Sequence, residues 1–173
     1  VVVMNNINSS EIFDIVDRFK KLNVEIRFIE FTDVGETNEW NLDKVYSSQK
    51  ICKDISKYFS LSKLTDEFSS TSSKWQLKDY AAKIGFISSI TQPFCSSCNR
   101  ARLSADGYFY TCLFASHGYN VLKALRDNSD LHELQDDIKN IWTKRIDQYS
   151  NLRKSTKQNT IHKSKIEMSY IGG

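Results

Sequence analysis

The pattern of apolar and polar residues at the start of the chain predicts a strand, a helix and a second strand. Val1 to Met4 form a continuous apolar run, which suits a buried strand. After the good N-caps Asn8 and Ser9, apolar residues recur at helical spacing, and Val24 to Phe31 has strand character. The predicted helical stripe contains Ile12, Ile15, Val16, Phe19 and Leu22. Together these elements predict a right-handed βαβ unit.

Charged and apolar residues alternate within the second predicted strand. Val24, Ile26 and Phe28 share one face, and the other face carries Glu25, Arg27, Ile29 and Phe31. If the aliphatic face meets the helix, Arg27 lies on the opposite side, which in a barrel is the lumen. A Glu25–Arg27 ion pair on an exposed rim is the alternative, and both interpretations stay open.

Further along the chain, periodicity predicts two more helices and one more strand. A helix is expected from Asn41 to Phe59, with Cys52 as a buried thiol, followed by a polar connector from Ser60 to Ser73. Ile84 to Ile90 has strand character, and a long helix is expected from Asp130 to Tyr149. Its buried stripe contains Leu134, Ile138, Ile141 and Trp142, and Asp130 with Glu133 resembles a capping box.

Composition narrows the class of protein. A chain of 173 residues with 40% hydrophobic content can bury one core, and a net charge of +3 does not demand a polyanion-binding protein. No run reaches the roughly 18 apolar residues of a membrane span, so a cytoplasmic protein is expected. The start at Val1 without Met indicates a piece of a larger protein. A basic stretch near the end predicts a solvated loop or a phosphate-attracting rim; it contains Arg153, Lys154, Lys157, Lys163 and Lys165.

Three clustered cysteines carry the strongest chemical signal. Cys95 and Cys98 form a C-x2-C pair, and Cys112 follows after thirteen residues. A structural zinc site needs four protein ligands, and His117 would be the fourth. A four-iron cluster held by three cysteines instead keeps one iron open to a substrate atom. Spacing alone leaves zinc and iron–sulfur equally open.

The hairpin after the C-x2-C pair links these cysteines to two arginines. A three-residue loop, Ala105 to Gly107, sets Arg102 opposite Tyr110 and Arg100 opposite Cys112. Arg100, Arg102 and Cys112 then share one face, whereas a two-residue turn would put Cys112 behind the arginines. Two guanidiniums beside thiolates suit an anionic ligand, which a closed zinc site has no need to recruit.

Four motifs in the chain resemble those of the radical S-adenosylmethionine enzymes of molybdenum cofactor biosynthesis, the GTP 3',8-cyclases. The longest is Ile-Thr-Gln-Pro-Phe-Cys-x-x-Cys-Asn-Arg-x-Arg-Leu-Ser-Ala-Asp-Gly at 90–107, followed by Cys-Leu-Phe at 112–114. The others are Arg-Phe-Ile-Glu-Phe at 27–31 and Met-Ser-Tyr-Ile-Gly-Gly at 168–173. Because they lie near both ends and in the middle, the resemblance covers essentially the whole chain.

The resemblance implies an α/β fold, the C-terminal part of an incomplete triosephosphate-isomerase-type (β/α)6 barrel followed by a covering α+β segment with a small antiparallel sheet. Residues 1–34 would be the last strands and helix of the barrel. Residues 35–173 would be the segment that binds a cluster and the substrate and ends in a Gly-Gly tail.

The resemblance also implies roles for individual residues. The cluster would be a [4Fe-4S] group on Cys95, Cys98 and Cys112, with its open iron binding the guanine of GTP. The GTP-binding positions correspond to Arg27, Arg100, Ala101 and Arg102, and to Asn5, which stands where the family usually has a basic residue. Thr32 stands where a Met near S-adenosylmethionine is common. The tail, Gly172 and Gly173, would enter the active site and order the catalytic arginines.

The family reaction begins at a second [4Fe-4S] cluster, whose C-x3-C-x2-C motif does not occur in this sequence. There S-adenosylmethionine yields a radical that takes the ribose 3' hydrogen of GTP, and ring closure at C8 gives 3',8-cyclo-7,8-dihydro-GTP. This lyase activity would require the missing N-terminal half, so the chain alone is expected to be inactive. Cyclic pyranopterin monophosphate synthase would act next, and whether the protein forms a homodimer stays open.

The main alternative is a zinc-stabilised module that binds nucleic acid or protein, using Cys95, Cys98, Cys112 and His117.

Overall fold

The computed structural model describes residues 1–35, 37–127, 130–147, 149 and 166–171. These residues form two compact units. The first contains Val1–Thr32 and Trp40–Ser97, and the second contains the described residues of Asp33–Glu39 and Cys98–Gly173. The basic stretch, predicted to be a solvated loop or a phosphate-attracting rim, and the Gly-Gly tail lie outside the described residues: Arg153, Lys154, Lys157, Lys163, Lys165, Gly172 and Gly173. Among the described helices, none has the length and apolar character needed to cross a bilayer.

The first unit is built on a mixed sheet of five strands. They are β1 (Val2–Val3), β2 (Glu25–Glu30), β3 (Leu61–Lys63), β4 (Ser73–Leu77) and β5 (Lys83–Ile87). Their order is β1-β2-β5-β4-β3, with β1, β2 and β5 parallel and the β5–β4 and β4–β3 pairs antiparallel. Helix α1 (Ile12–Phe19) connects β1 to its parallel neighbour β2, so the predicted βαβ unit is confirmed.

The two faces of this sheet differ, because one packs on the core and the other carries charged side chains beside Ile29 and Ile87. Ile26 and Phe28 of β2 are buried in a core that also contains Val16 of α1 and Ile51 of helix α2 (Ser48–Ser56). On the opposite face, Arg27 lies opposite Gly85 of β5, and Gly85 lies opposite Lys74 of β4. The alternation predicted for this strand is therefore confirmed for Ile26, Arg27 and Phe28, whereas Val24, predicted on the apolar face, precedes β2 and is 40% exposed.

Several predicted boundaries in this unit are wrong. The helix expected from Asn41 begins only at Ser48, because Leu42–Lys44 is a 3-10 turn and the Ser47 side chain caps α2. Leu22 lies beyond the end of α1 and is 51% exposed, so it does not extend the buried stripe. Phe19 is also exposed, at 42%. Cys52 is half-buried and packs against the core.

The connector predicted from Ser60 to Ser73 is not structureless, because β3 lies within it. Leu61 of β3 pairs with Leu77 of β4, and Lys63 pairs with Trp75. A three-residue edge strand of this kind gives too short an alternation to be read from sequence. Its hydrogen bonds to β4 extend the sheet where only a loop was expected.

The second unit contains a small antiparallel sheet and two helices. The strands are β6 (Arg102–Leu103), β7 (Tyr108–Tyr110) and β8 (Tyr119–Asn120), in that order. They are followed by α3 (Val121–Arg126) and α4 (Leu131–Lys144). The α/β class and the small antiparallel sheet are confirmed, whereas the barrel stays a prediction.

The start of α4 agrees with the sequence, but its end does not. The Asp130 carboxylate accepts a hydrogen bond from the His132 amide at 3.0 Å and caps the helix. Of the predicted buried stripe, Leu134 is buried, whereas Ile138, Ile141 and Trp142 are half-buried. The helix ends at Lys144 rather than Tyr149, because Arg145 adopts an extended backbone conformation.

Candidate metal and substrate site

The hairpin that follows the cysteine pair has the predicted register. Arg102 lies opposite Tyr110, and the Ser104 amide donates to the Tyr108 carbonyl at 2.9 Å. Gly107 closes the loop with φ +83°, and a Cβ atom there would collide with Leu122. The three-residue loop is therefore confirmed. Strand pairing ends at Arg102, before the position at which Arg100 was expected to face Cys112.

Cys98 lies directly against Arg100. The Arg100 guanidinium donates from Nη2 to Cys98 Sγ at 3.3 Å. Burial raises the pKa of the Cys98 thiol, but hydrogen bonds from the Arg100 amide and guanidinium outweigh burial, helped by the charges of Arg100 and Arg145. The net effect is a lowered pKa. This environment favours the thiolate, which is the form that binds metals.

Arg102 is close enough to Arg100, Cys98 and Cys112 for their charges to act on it. Burial and the positive charge of Arg100 lower the pKa of the Arg102 guanidinium, while Cys112 and Cys98 act in the opposite direction. The second unit therefore brings together two cysteines and two arginines from the predicted set.

The Cys112 thiol is part of an ordered loop after β7. Its Sγ atom accepts a hydrogen bond from the Phe114 amide at 3.4 Å. The Phe114 ring stacks on Tyr149 with 4.6 Å between ring centroids, and the Tyr149 hydroxyl donates to the Asp33 carboxylate at 2.8 Å. These contacts fix the loop that carries Cys112.

Sequence reasoning missed Arg145, which contacts the cysteine loop from beyond the end of α4. Its guanidinium donates to the Cys98 carbonyl and lies 3.5 Å from the centroid of the Trp142 ring. The only sequence signal for this contact is the Trp-x-x-Arg spacing of Trp142 and Arg145, and neither residue type is a metal ligand. Arg145 thus fixes the main chain at Cys98.

Cys95, in the first unit, lies in the 3-10 turn Cys95–Ser97 and is half-buried. The carbonyl of Ser97 accepts a hydrogen bond from the Ser69 hydroxyl at 2.5 Å, which fixes this turn. None of the four cysteines, all of which are described, forms a disulfide bond.

A buried carboxylate that the sequence analysis did not identify holds the start of the cysteine loop. Glu30 is 0% exposed and accepts hydrogen bonds from the amides of Ser48, Ile90 and Thr91 at 2.8–2.9 Å. The Thr91 hydroxyl donates to it at 2.6 Å. Glu30 therefore ties the end of β2 to the segment that leads into Cys95.

The predicted substrate-binding residues Arg27 and Asn5 and the predicted cofactor-binding residue Thr32, all in the first unit, have local partners. Arg27 forms an ion pair with Glu25 at 2.7 Å, which is the rim alternative, and this contact lowers the pKa of Glu25, as do the charges of Lys74 and Lys83. Asn5 donates from its side chain to the Asp43 carbonyl at 3.1 Å. Thr32 accepts a hydrogen bond from Ser89 at 3.2 Å.

Ala101 and His117, in the second unit, are both exposed. In the described part of the chain, no three or more His, Cys, Asp or Glu side chains are arranged to hold a metal ion. The chemistry of the donors nevertheless fits a soft metal, because thiolates stabilised by guanidiniums are ligands of iron–sulfur clusters and of zinc.

Comparison with known proteins relates the chain to one family. The sequence profile of the family "Molybdenum Cofactor Synthesis C" matches residues 24–151. GTP 3',8-cyclases from Staphylococcus epidermidis and Staphylococcus saprophyticus are each 40% identical to the chain, and that from Staphylococcus haemolyticus is 38% identical. Each alignment covers 100% of this chain and 52% of the relative, so the chain spans about half the length of these curated relatives. The chain belongs to the Molybdenum Cofactor Synthesis C family and is similar to the C-terminal half of GTP 3',8-cyclases.

Proposed function

We propose that this chain supplies the part of a GTP 3',8-cyclase that binds an auxiliary [4Fe-4S] cluster and GTP. The names of its relatives support the reaction class, and the cysteine and arginine contacts described above support the binding roles. The product would be 3',8-cyclo-7,8-dihydro-GTP, an intermediate of molybdenum cofactor biosynthesis, and cyclic pyranopterin monophosphate synthase would convert it further.

The contact between Arg100 and Cys98 carries this proposal. A metal-binding cysteine must lose its proton, and a neighbouring guanidinium lowers the free energy of the thiolate. Arg102 experiences the charges of both Cys98 and Cys112. A purely structural zinc site needs no such pair of cations. A site that must also bind a polyanionic nucleotide does need them.

Cys95, Cys98 and Cys112 would be the cluster ligands. A cluster bound by only three thiolates supplies one iron that can take a substrate atom. The side chains of Arg100 and Arg102 would bind and orient the nucleotide, and the main chain of Ala101 lies between them. Arg27, with Lys74 and Lys83 near its Glu25 partner, would add positive charge to the polar face of the first sheet.

The rest of the reaction requires groups that belong to the other half of the enzyme. S-adenosylmethionine and its [4Fe-4S] cluster would be bound there, with Thr32 close to the S-adenosylmethionine site and Asn5 on the GTP side. The Gly172–Gly173 tail would order the arginines around GTP. The isolated chain would bind ligands without turning GTP over.

A binding experiment tests the substrate role directly. The anaerobically purified, iron-loaded chain is titrated with GTP while the absorption and electron paramagnetic resonance spectra of the cluster are followed. Spectral changes that saturate with GTP are expected. Loss of a charge-assisted hydrogen bond in Arg102→Ala should weaken binding about tenfold or more. Arg18→Ala, which removes an exposed arginine of α1, is the matched control. A spectrum indifferent to GTP would contradict the proposal.

A further inference from the structure

The described residues near the end of the chain, 166–171, are attached to the second unit by side-chain contacts. The Tyr170 hydroxyl donates to Oδ2 of Asp106 at 2.5 Å. Ile171 is 0% exposed. The Tyr170 amide donates to the Glu167 carbonyl at 3.0 Å, which closes a turn between the two side chains.

Asp106 is well suited to receive this contact because its other oxygen is already engaged. The Ser104 hydroxyl donates to Oδ1 of Asp106 at 2.6 Å. Both residues belong to the hairpin turn between β6 and β7, so the carboxylate is oriented before Tyr170 binds it. A preorganised acceptor loses less conformational entropy when the contact forms.

A second contact attaches the same segment to the loop after β2. The Glu167 carboxylate accepts hydrogen bonds from the Thr37 amide at 3.3 Å and from the Thr37 hydroxyl at 3.2 Å. Gly35 lies so close that a Cβ atom would collide with this carboxylate, and its φ of +71° also favours glycine. The loop is therefore shaped around Glu167.

We propose that Glu167, Tyr170 and Ile171 form a terminal clamp that fixes the end of the chain against the hairpin turn that follows the cysteine–arginine segment. Two hydrogen-bonded contacts on separate loops and one buried apolar side chain hold the clamp. Two glycines alone have little conformational preference, so a defined starting point must come from the residues before them. The clamp supplies that point. The clamp depends on the proposed function only for the role that Gly172 and Gly173 have in it. Glu167, Tyr170 and Ile171 are positioning residues.

Hydrogen exchange measured by mass spectrometry tests the clamp in the complete chain. In Tyr170→Phe, amides 168–171 should exchange about tenfold faster, the effect expected for one net hydrogen bond. Tyr119→Phe is the matched control, because the Tyr119 hydroxyl donates to the Asp137 carboxylate at 3.0 Å elsewhere in the same unit. That variant should leave these amides unchanged. Exchange in Tyr170→Phe within about twofold of the parent, well below the loss of one hydrogen bond, would overturn the clamp.

A double-mutant cycle separates the specific contact from general loosening. Asp106→Asn should accelerate exchange at 168–171 in the parent but add little in Tyr170→Phe, because the shared contact is already lost. Additive effects would contradict the contact. Thr37→Val provides an independent variant: it removes only one donor to Glu167 and should also accelerate exchange there. If amide exchange at 168–171 is not faster in Thr37→Val, the second attachment, between Glu167 and Thr37, is wrong.

This experiment is independent of the proposed function, because exchange is measured without GTP, cluster or the other half of the enzyme. In the enzyme completed by an N-terminal half, Tyr170→Phe should lower cyclization while the iron content stays unchanged. If deletion of Gly172 and Gly173 has no effect on cyclization but Tyr170→Phe still accelerates exchange, the tail role fails and the clamp stands. If exchange in Tyr170→Phe stays as slow as in the parent and deletion of Gly172 and Gly173 abolishes cyclization, the clamp fails and the tail role stands.

Discussion

Arg100 donates a hydrogen bond to the thiol of Cys98, with 3.3 Å between Nη2 and Sγ. The contact is local, since only Asn99 separates the two residues. It makes one thiol of the motif chemically different from Cys52, whose pKa is raised by burial against the core. The difference between these two thiols is measurable without any bound group.

Cys98 is therefore expected to react with iodoacetamide faster than Cys52 at neutral pH, because its lowered pKa provides more thiolate. Arg100→Ala should move the pH profile of Cys98 alkylation upward and leave that of Cys52 unchanged. The measurement is peptide mass mapping of the metal-free chain across the neutral pH range. Identical profiles for Cys98 in the parent and in Arg100→Ala would contradict the assigned contact.

Arg145 is expected to help the chain retain a bound cluster, because it fixes the Cys98 carbonyl while stacking on Trp142. Arg145→Ala should speed iron loss to a chelator by about tenfold, as for one lost charge-assisted hydrogen bond. Arg145→Lys keeps the charge but not the planar fork, so it should give an intermediate rate. Equal rates in all three proteins would show that Arg145 has no role in retention.

Glu30 is expected to be a main determinant of stability in the first unit. Glu30→Ala leaves three buried or partly buried amides without their acceptor, and a cost of at least about 3 kcal/mol in the free energy of unfolding is expected. Glu25→Ala, on the same strand, removes only a partly exposed ion pair and should cost less than about 1 kcal/mol. Urea unfolding compares the two variants. Similar losses of unfolding free energy in the two variants would show that the Glu30 hydrogen bonds are not a main determinant of stability.

The Tyr170–Asp106 contact has a defined pH window. The Asp106 hydrogen bond raises the pKa of Tyr170 to about 12 and stabilises the neutral hydroxyl. Its contribution is complete below the ordinary tyrosine pKa and is lost as pH rises through the raised value. Hydrogen bonds from Ser104 and Tyr170 lower the pKa of Asp106, so on the acid side the contact is lost as pH falls through that lowered value.

Phenolate absorbance across the alkaline range checks this window. The parent should contain late-titrating tyrosines, among them Tyr170 and Tyr46, whose pKa the Asp54 hydrogen bond also raises to about 12. Tyr170→Phe should remove one of them without changing the titration of Tyr46. If the tyrosine that is lost in Tyr170→Phe instead titrates near the ordinary tyrosine pKa, the Tyr170–Asp106 contact is contradicted.

Features governed by neighbouring residues could be predicted from the sequence. The register of the β6–β7 hairpin followed from Gly107 and a three-residue loop, and Asp130 identified the start of α4. Strand alternation likewise placed Arg27 opposite the apolar face of β2. In each case the determining interaction lies within a few residues, where turn and cap chemistry apply.

Features that depend on distant residues could not be predicted. Glu30 is buried because its four hydrogen-bond donors come from segments 18 and 60 or 61 residues away. Arg145 meets Cys98 across 47 residues. The strands β3 and β8 are only three and two residues long, so their alternation is too short to read, and tertiary pairing alone defines them.

The most direct measurement of the central claim is the metal content of the chain after anaerobic reconstitution with iron and sulfide. About four iron and four sulfide per chain are expected, as for a [4Fe-4S] cluster on three cysteines. Cys95→Ala, Cys98→Ala and Cys112→Ala should each lose the cluster, while Cys52→Ala, which removes the one cysteine outside the motif, should retain it. A colourless protein with one zinc, or equal iron loss in Cys52→Ala, would contradict the account.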